Sequence, residues 1–351
     1  MTNLGIYGAW LTVNRYCNFR CKWCYATGTK FKSEDNMPLD MAFKLIDLLH
    51  EIGVKNVILI GGETLFWPHL FEVATYLKSL DMSSSVVTNG WLLGFEKFRN
   101  KVEKSDISSL SISLKAANRQ QYLDVTGFDG FEKVREGLRE VNRWEHIDIE
   151  TSVVVNTEVI DNIEDVVRLA FENGSKSINI SLCGPIITEG FFNSNFMPSP
   201  WKIVEVLTEK YEIINSISKG AFSIEQSLPA CLWPPDILKI MEERNQVSYG
   251  CHFKERSGLI IDRWGNIIPC NHLHEYPIGQ FGTSFKDLES FERFWKDPDL
   301  DKVYRSMLAY PSKPCITCSV FDKCGGGCPL YWLVRDPDLV IPEGGSYEKI
   351  S

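Results

Sequence analysis

Between residues 10 and 182, short apolar runs alternate with longer stretches whose apolar residues recur every three or four positions. The runs Trp10–Asn14, Val57–Ile60, Ser84–Thr88, Ser108–Ser113, Asp148–Val155 and Ser177–Leu182 are rich in Val and Ile. They predict strands of a parallel sheet covered on both faces. The stretches Leu39–Ile52, His69–Leu80, Phe131–Trp144 and Val159–Asn173 predict amphipathic helices between them. In the last, Ile163, Val166, Val167 and Ala170 fall on one stripe. Six β/α units with right-handed crossovers curl toward a barrel. Six strands are too few to close it as eight would. The expected fold class is therefore α/β, a partial (β/α)6 TIM-like barrel.

Beyond residue 183 the pattern loosens. GPIITEGFFNSNFMPSP is a connector punctuated by Gly, Pro and Asn, and Trp201–Ser218 predicts a helix. Two apolar runs around Arg263-Trp264-Gly265-Asn266 signal a hairpin, followed by a short helix near Leu288–Trp295 and a turn region rich in Cys and Gly. The expected division is a barrel over 1–200, a linker with a helix over 201–230, and a cysteine-rich domain over 231–351.

Composition removes several function classes. The 351 residues carry 37 Lys+Arg against 46 Asp+Glu, a formal charge of −9, and no basic run that would track a nucleic-acid backbone. No uncharged apolar stretch reaches the ~18 residues of a membrane span. The N-terminus lacks the basic and apolar regions of a signal peptide, so a cytoplasmic location is expected. Eleven cysteines, an odd number without an export signal, suggest metal-binding thiolates rather than disulfides.

Three of them form one loop after the first predicted strand: Cys17, Cys21 and Cys24, spaced C-x3-C-x2-C in CNFRCKWCY. Three thiolates can hold a 4Fe–4S cluster and leave one iron open, whereas electron-transfer clusters take four. An open position lets a metal centre bind a ligand directly. A zinc knuckle would need a nearby fourth ligand, and the next histidines, His50 and His69, lie far downstream.

This loop resembles that of the radical SAM superfamily, with Trp23 in its aromatic slot and Tyr25 following. Further stretches resemble the family in order. Gly61, Gly62 and Glu63 resemble the segment that meets the amino group of S-adenosylmethionine (SAM), although Thr64 stands where the family has proline. Thr88 and Asn89 in VTNG resemble the end of its third strand. Ser111, Ser113 and Lys115 stand where family members contact ribose or carboxylate, and Val155 and Asn156 where apolar groups meet adenine. Each falls at the C-terminal end of a predicted strand, the edge at which α/β sheets bind ligands.

The remaining cysteines resemble the SPASM extension, which holds two auxiliary iron–sulfur clusters. The resemblance implies Cys251, Cys270 and Cys328 for the first auxiliary cluster and Cys315, Cys318 and Cys324 for the second. Cys231 is the expected fourth ligand of the first, or else a buried free thiol. The family's last cysteine is missing: residues 329–351 contain none. Asp336, Asp338 or Glu343 could replace it, or the site is open. Cys183, at the end of the sixth strand, is a candidate hydrogen-atom donor against the plainer reading of a small buried residue. His272 and His274 read as a solvated loop.

The resemblance implies reductive cleavage of SAM to a 5′-deoxyadenosyl radical and hydrogen abstraction from a substrate. SPASM enzymes mostly act on peptides, so maturation of a ribosomally made peptide by crosslinking, desaturation or epimerisation is expected. The alternative is dehydrogenation or epimerisation of a small molecule such as an aminosugar. A reductant such as flavodoxin or ferredoxin is implied. With about ten residues before the first strand, either a separate leader-binding protein or the barrel mouth is expected to bind the leader.

Overall fold

The computed structural model describes residues 4–29, 35–225, 228–307 and 310–342. Its strands are β1 Gly8–Thr12, β2 Asn56–Ile60, β3 Ser83–Thr88, β4 Ser109–Leu114, β5 Asp148–Val155 and β6 Ile178–Leu182, then β7 Ile186–Thr188, β8 Phe191–Asn193, β9 Phe222–Glu225, β10 Gly258–Ile261, β11 Asn266–Ile268 and β12 Gly279–Gln280. Ten of them form one open sheet in the order β12-β11-β10-β1-β2-β3-β4-β5-β6-β9. From β10 to β9 every neighbouring pair is parallel. The six expected strands are thus the centre of the sheet.

The expected helices form as Leu39–Ile52, Leu70–Ser79, Phe131–Val141 and Ile163–Glu172. The stripe Ile163, Val166, Val167 and Ala170 is fully buried. Two more, Glu96–Glu103 and Arg119–Thr126, bury only Val102 and the trio Tyr122, Val125 and Thr126, so their apolar periodicity is faint. The segment expected as linker, 201–230, carries the helices Pro200–Glu209 and Tyr211–Ser218 and then β9, which extends the sheet beyond β6. At the other side β10 of the hairpin pairs with β1. Sequence from the expected cysteine-rich domain therefore completes the barrel wall.

The strands are not covered on both faces. Leu110, Ile112 and Leu114 of β4 are buried, while the intervening serines are half-exposed. The inner face is a polar ladder. Ser83 and Ser85 donate to Asn56 Oδ1 at 2.9 and 3.1 Å, Ser109 donates to Ser85 at 2.7 Å, and Ser113 pairs with Ser152 at 3.0 Å. Helices cover one side only; the concave side of an unclosed barrel admits water, and serines suit it.

Most of the buried apolar residues form one cluster, running from the barrel into Phe285, Phe291 and Trp295 around the helix Leu288–Trp295, which forms as expected, and on to Tyr304. A second, separate cluster contains only Ala230, Tyr249 and Cys324. It marks the region of short turns, Lys313–Thr317, Phe321–Cys324 and Pro329–Trp332, that carries the last cysteines. Gly325, Gly326 and Gly327 turn between them, all with positive φ.

Candidate active site

The first cysteine loop leaves β1 and is tied down along its length. The amides of Arg20 and Lys22 donate to the carbonyls of Thr126 and Val125 at 2.7 and 3.1 Å. The Arg20 guanidinium donates to the carbonyls of Cys17 and Phe19. Within the loop the Phe19 amide donates to Cys17 Sγ at 3.3 Å. Thiols 17, 21 and 24 lie within one another's electrostatic range. Burial pushes Cys17 up to about 12, helped by the nearby Glu63 carboxylate, while the Phe19 amide and Lys115 pull it down. Cys21 and Cys24 are pushed by burial to about 11, and Lys115 opposes both shifts. A cation facing three buried thiols stabilises their anionic form, the form that binds metal.

Gly61 and Gly62 are required by the chain itself. A Cβ at Gly61 would sit 2.2 Å from Asn14 Oδ1, and one at Gly62 would sit 2.3 Å from the Tyr16 carbonyl. The segment therefore presses on the backbone that launches the cysteine loop. Asn14, which sequence reasoning passed over, joins the two, donating to the Glu63 carbonyl at 2.8 Å and accepting from the Gly62 amide at 3.1 Å. The Glu63 carboxylate is buried and accepts from the Leu65 amide at 3.0 Å, the Thr88 hydroxyl at 2.6 Å and the Asn89 amide at 2.6 Å. It pins the ends of β2 and β3 together. Asn89 in turn donates to Asn18 Oδ1 at 2.8 Å within the loop.

Other expected residues are engaged locally. Ser111 bonds to Glu150, whose carboxyl is raised by burial and then by the charge of Glu225. Asn156 is buried, donating to the Val154 carbonyl and accepting from the Glu158 amide, so its amide closes a turn after β5. Val155 and Trp23 lie in the main core. Cys183 is buried, donates to the Gly184 carbonyl at 3.4 Å, and is pushed to about 12 by burial.

The mouth of the barrel is where the two halves meet. Tyr25 is half-buried, its shielded hydroxyl has no hydrogen-bond partner among the described residues, and the charges acting on it include Arg15, Cys24, Cys270 and Cys17. Its ring packs on His272 with centroids 5.3 Å apart. His272 is half-buried rather than fully solvated: Nδ1 lies 2.7 Å from the Pro185 carbonyl, and burial lowers its pKa. Arg15, also missed, is 1% exposed, with Nε and one terminal nitrogen unpartnered. Charges in the middle of an apolar strand end carry no periodic signal. The only clue was an arginine inside a buried run.

The C-terminal thiols fall into two groups. Cys270, Cys251 and Cys328 act on one another, and backbone amides of residues 271–272 and 330–331 point at Cys270 and Cys328. Cys231 instead lies in range of Cys324, Cys315 and Cys318, which departs from the expected partition. Asp338 lies near Cys315 but holds the Ser312 hydroxyl at 2.6 Å, and Asp336 caps the turn at Asp338. Glu343 lies outside the described residues. The soft thiol donors, the amides aimed at them and the cation at Lys115 fit iron–sulfur clusters.

Residues 11–170 match the Radical SAM superfamily. That stretch carries the first cysteine loop, and the fold is a radical SAM fold, an α/β arrangement with a mostly parallel sheet. Among curated proteins the chain is similar to the probable GTP 3′,8-cyclase of Metallosphaera sedula, 27% identical over 81% of this chain and 86% of that one. The GTP 3′,8-cyclase of Helicobacter pylori is 22% identical over 85% and 90%. Among solved structures, Streptococcus suis SuiB bound to precursor peptide SuiA superposes with a TM-score of 0.68 at 16% identity, covering 97% of this chain and 74% of that one. Native anSMEcpe with bound AdoMet gives 0.68 at 16% identity, covering 94% and 90%.

Proposed function

We propose that this enzyme modifies a side chain of a ribosomally made peptide, by oxidative crosslinking, desaturation or epimerisation. The observation that carries the reading is the position of Tyr25, in range of both the Cys17/Cys24 loop and Cys270 across the barrel mouth. When bound at the first loop, a reduced 4Fe–4S cluster and SAM supply a 5′-deoxyadenosyl radical able to take hydrogen from an unactivated C–H bond. Lys115 holds the three thiols in their ligating form. Arg15, buried with two N–H groups unpartnered, offers a bidentate grip on a carboxylate at the mouth. Thiol groups beyond Tyr25 suit auxiliary clusters that carry electrons to or from a substrate held there.

An extended peptide has a place to lie. The β7–β8 hairpin stands beside the mouth with Phe191 and Phe192 exposed, and Glu275 accepts from the amides of Glu189 and Gly190 to hold its turn. Exposed strand edges with aromatic side chains bind peptides by strand addition. A reductant such as flavodoxin or ferredoxin and a separate leader-binding protein are the partners this chemistry calls for.

The curated relatives favour a second reading, a nucleotide substrate. A triphosphate needs several cations converging on it. The polar wall here carries Glu150 and Glu225, with Arg15 and Lys115 near the first loop. That charge balance favours a peptide or a small molecule such as an aminosugar over a triphosphate.

The deciding experiment is anaerobic turnover with SAM and reductant against peptides encoded beside the gene and against GTP, read by mass spectrometry and 5′-deoxyadenosine release. Loss of two hydrogens, or deuterium uptake from D2O at constant mass, in a peptide supports the reading. Conversion of GTP with every peptide unchanged overturns it.

A further inference from the structure

The sequence pattern left the second C-terminal thiol group one ligand short, and the fold brings a cysteine to it from the opposite direction along the chain. Residues 229–232 form a tight turn, Ala230–Leu232, that packs against the glycine turn. The Ala230 amide donates to Cys324 Sγ at 3.3 Å. Pro229 packs so closely on Gly327 that a Cβ there would sit 2.7 Å from its ring. Ala230, Cys324 and Tyr249 form a buried cluster of their own, and Lys323 pairs with Glu242 at 2.8 Å to hold the same two segments together.

We propose that Cys231 is the fourth thiol of the site formed by Cys315, Cys318 and Cys324, and that Cys251, Cys270 and Cys328 form a three-thiol site. The inference rests on the reading that both groups hold iron–sulfur clusters, and it assigns to this chain a ligand set its sequence order conceals.

The glycine turn explains how neighbouring cysteines part company. Cys324 and Cys328 are four residues apart, yet three successive residues with φ of +56, +71 and +76 reverse the chain between them. Lys254, three residues after Cys251, donates to the Gly325 and Gly327 carbonyls at 2.9 and 2.7 Å. The turn is thereby fastened to the Cys251 side while Cys324 faces Ala230. Thiols of Cys315, Cys318 and Cys324 all act on Cys231, as four ligands of one cluster would. The competing ligand Asp338 lies near Cys315 but already accepts from the Ser312 hydroxyl at 2.6 Å.

Iron and sulfide analysis of the full chain, reconstituted anaerobically, tests the partition without reference to activity. Wild type is expected to carry about 12 iron from three 4Fe–4S sites. Because three thiols suffice to hold a cluster, as at the first loop, Cys231→Ala and Cys315→Ala should each keep about 12, whereas the double variant, with two thiols left, should lose about four. Cys251→Ala alone, which leaves two thiols at its site, should also lose about four. Asp338→Asn should lose none. Alkylation of native protein with iodoacetamide, mapped by mass spectrometry, gives a readout that needs no Cys231 variant to fold. In the double variant Cys315→Ala, Cys318→Ala, Cys231 should become reactive while Cys270 and Cys328 stay protected.

If Cys315→Ala loses about four iron that Cys251→Ala keeps, or Asp338→Asn loses a cluster, the proposal is overturned. Only about four iron in wild type would remove the auxiliary-cluster reading itself, and the partition with it. SAM cleavage is untouched by either result, since it reports on the first loop.

Discussion

The barrel and the cysteine-rich turns place thiols by opposite means. In the barrel three cysteines sit within eight residues, on a loop held by the Thr126 and Val125 carbonyls and by Arg20. Its surroundings are already a continuous apolar core. In the turn region the thiols come from residues 231 to 328, on helices of three to five residues, beside a buried cluster of three side chains. Tyr331 and its neighbours Cys328, Trp332, Val334 and Val340 tie the end of this region to the main core, but the part from Cys315 to Cys324 has only the small cluster to offset the entropy of ordering it. The comparison teaches that the first loop is built before its metal arrives, whereas the last region needs its metal as a structural element.

The largest effect expected is at the first loop. Cys17→Ala, Cys21→Ala and Cys24→Ala should each bring SAM cleavage to background while leaving the melting temperature of the barrel close to that of wild type. Cleavage at the wild-type rate in any of them breaks the assignment; a collapsed fold breaks the claim that the loop is preformed. Next comes removal of iron with an anaerobic chelator. Limited proteolysis followed by mass spectrometry should then cut within residues 310–342, leaving the barrel intact. Equal cutting of both regions would erase the distinction between them.

Two substitutions probe the frame of the first site. Gly62→Ala drives a Cβ to 2.3 Å from the Tyr16 carbonyl, a backbone atom that cannot swing aside. Overpacking of this kind costs about 1–3 kcal/mol, read as a lower denaturant midpoint at unchanged m-value. Lys115→Met removes the cation facing all three thiols. Groups that tune a metal's ligands without touching the metal change affinity or activity by about 10–100-fold. Iron retention of the first site under dilute chelator should weaken by that order, and unchanged retention would detach Lys115 from the site.

The sequence carried the barrel because β/α alternation is local. Each strand and most helices announce themselves within a dozen residues, and the cysteine loop does so within eight. What it could not carry is long-range. Nothing near Phe222–Glu225 or Gly258–Ile261 says that they flank β6 and β1, because parallel pairing has no local signature. The partition of Cys231 is hidden for the same reason, since ligand order along the chain does not fix order in space. The polar inner face was readable in the alternation SLSIS of β4, but the expectation of a doubly covered sheet overrode it. Glu63 was found as a motif, but its burial and its three donors are facts of packing that no local pattern shows. Arg15 and Asn14 gave no pattern at all.

The smallest effects locate the border between the two regions. Asn118 caps the helix Arg119–Thr126, accepting from the Gln121 amide, and that helix holds the cysteine loop. Asp287 caps Leu288–Trp295 in a capping box with Ser290. Removing such a cap costs about 1 kcal/mol, or about 2–4 °C of melting temperature in a unit of this size. Because Phe291 and Trp295 lie in the same cluster as the barrel strands, Asp287→Ala should shift the main thermal transition as Asn118→Ala does, with or without iron. That outcome sets the border after the helix Pro298–Met307. An Asp287→Ala shift seen only in iron-depleted protein would move it before residue 287 and make the metal-dependent region larger than its cysteines suggest.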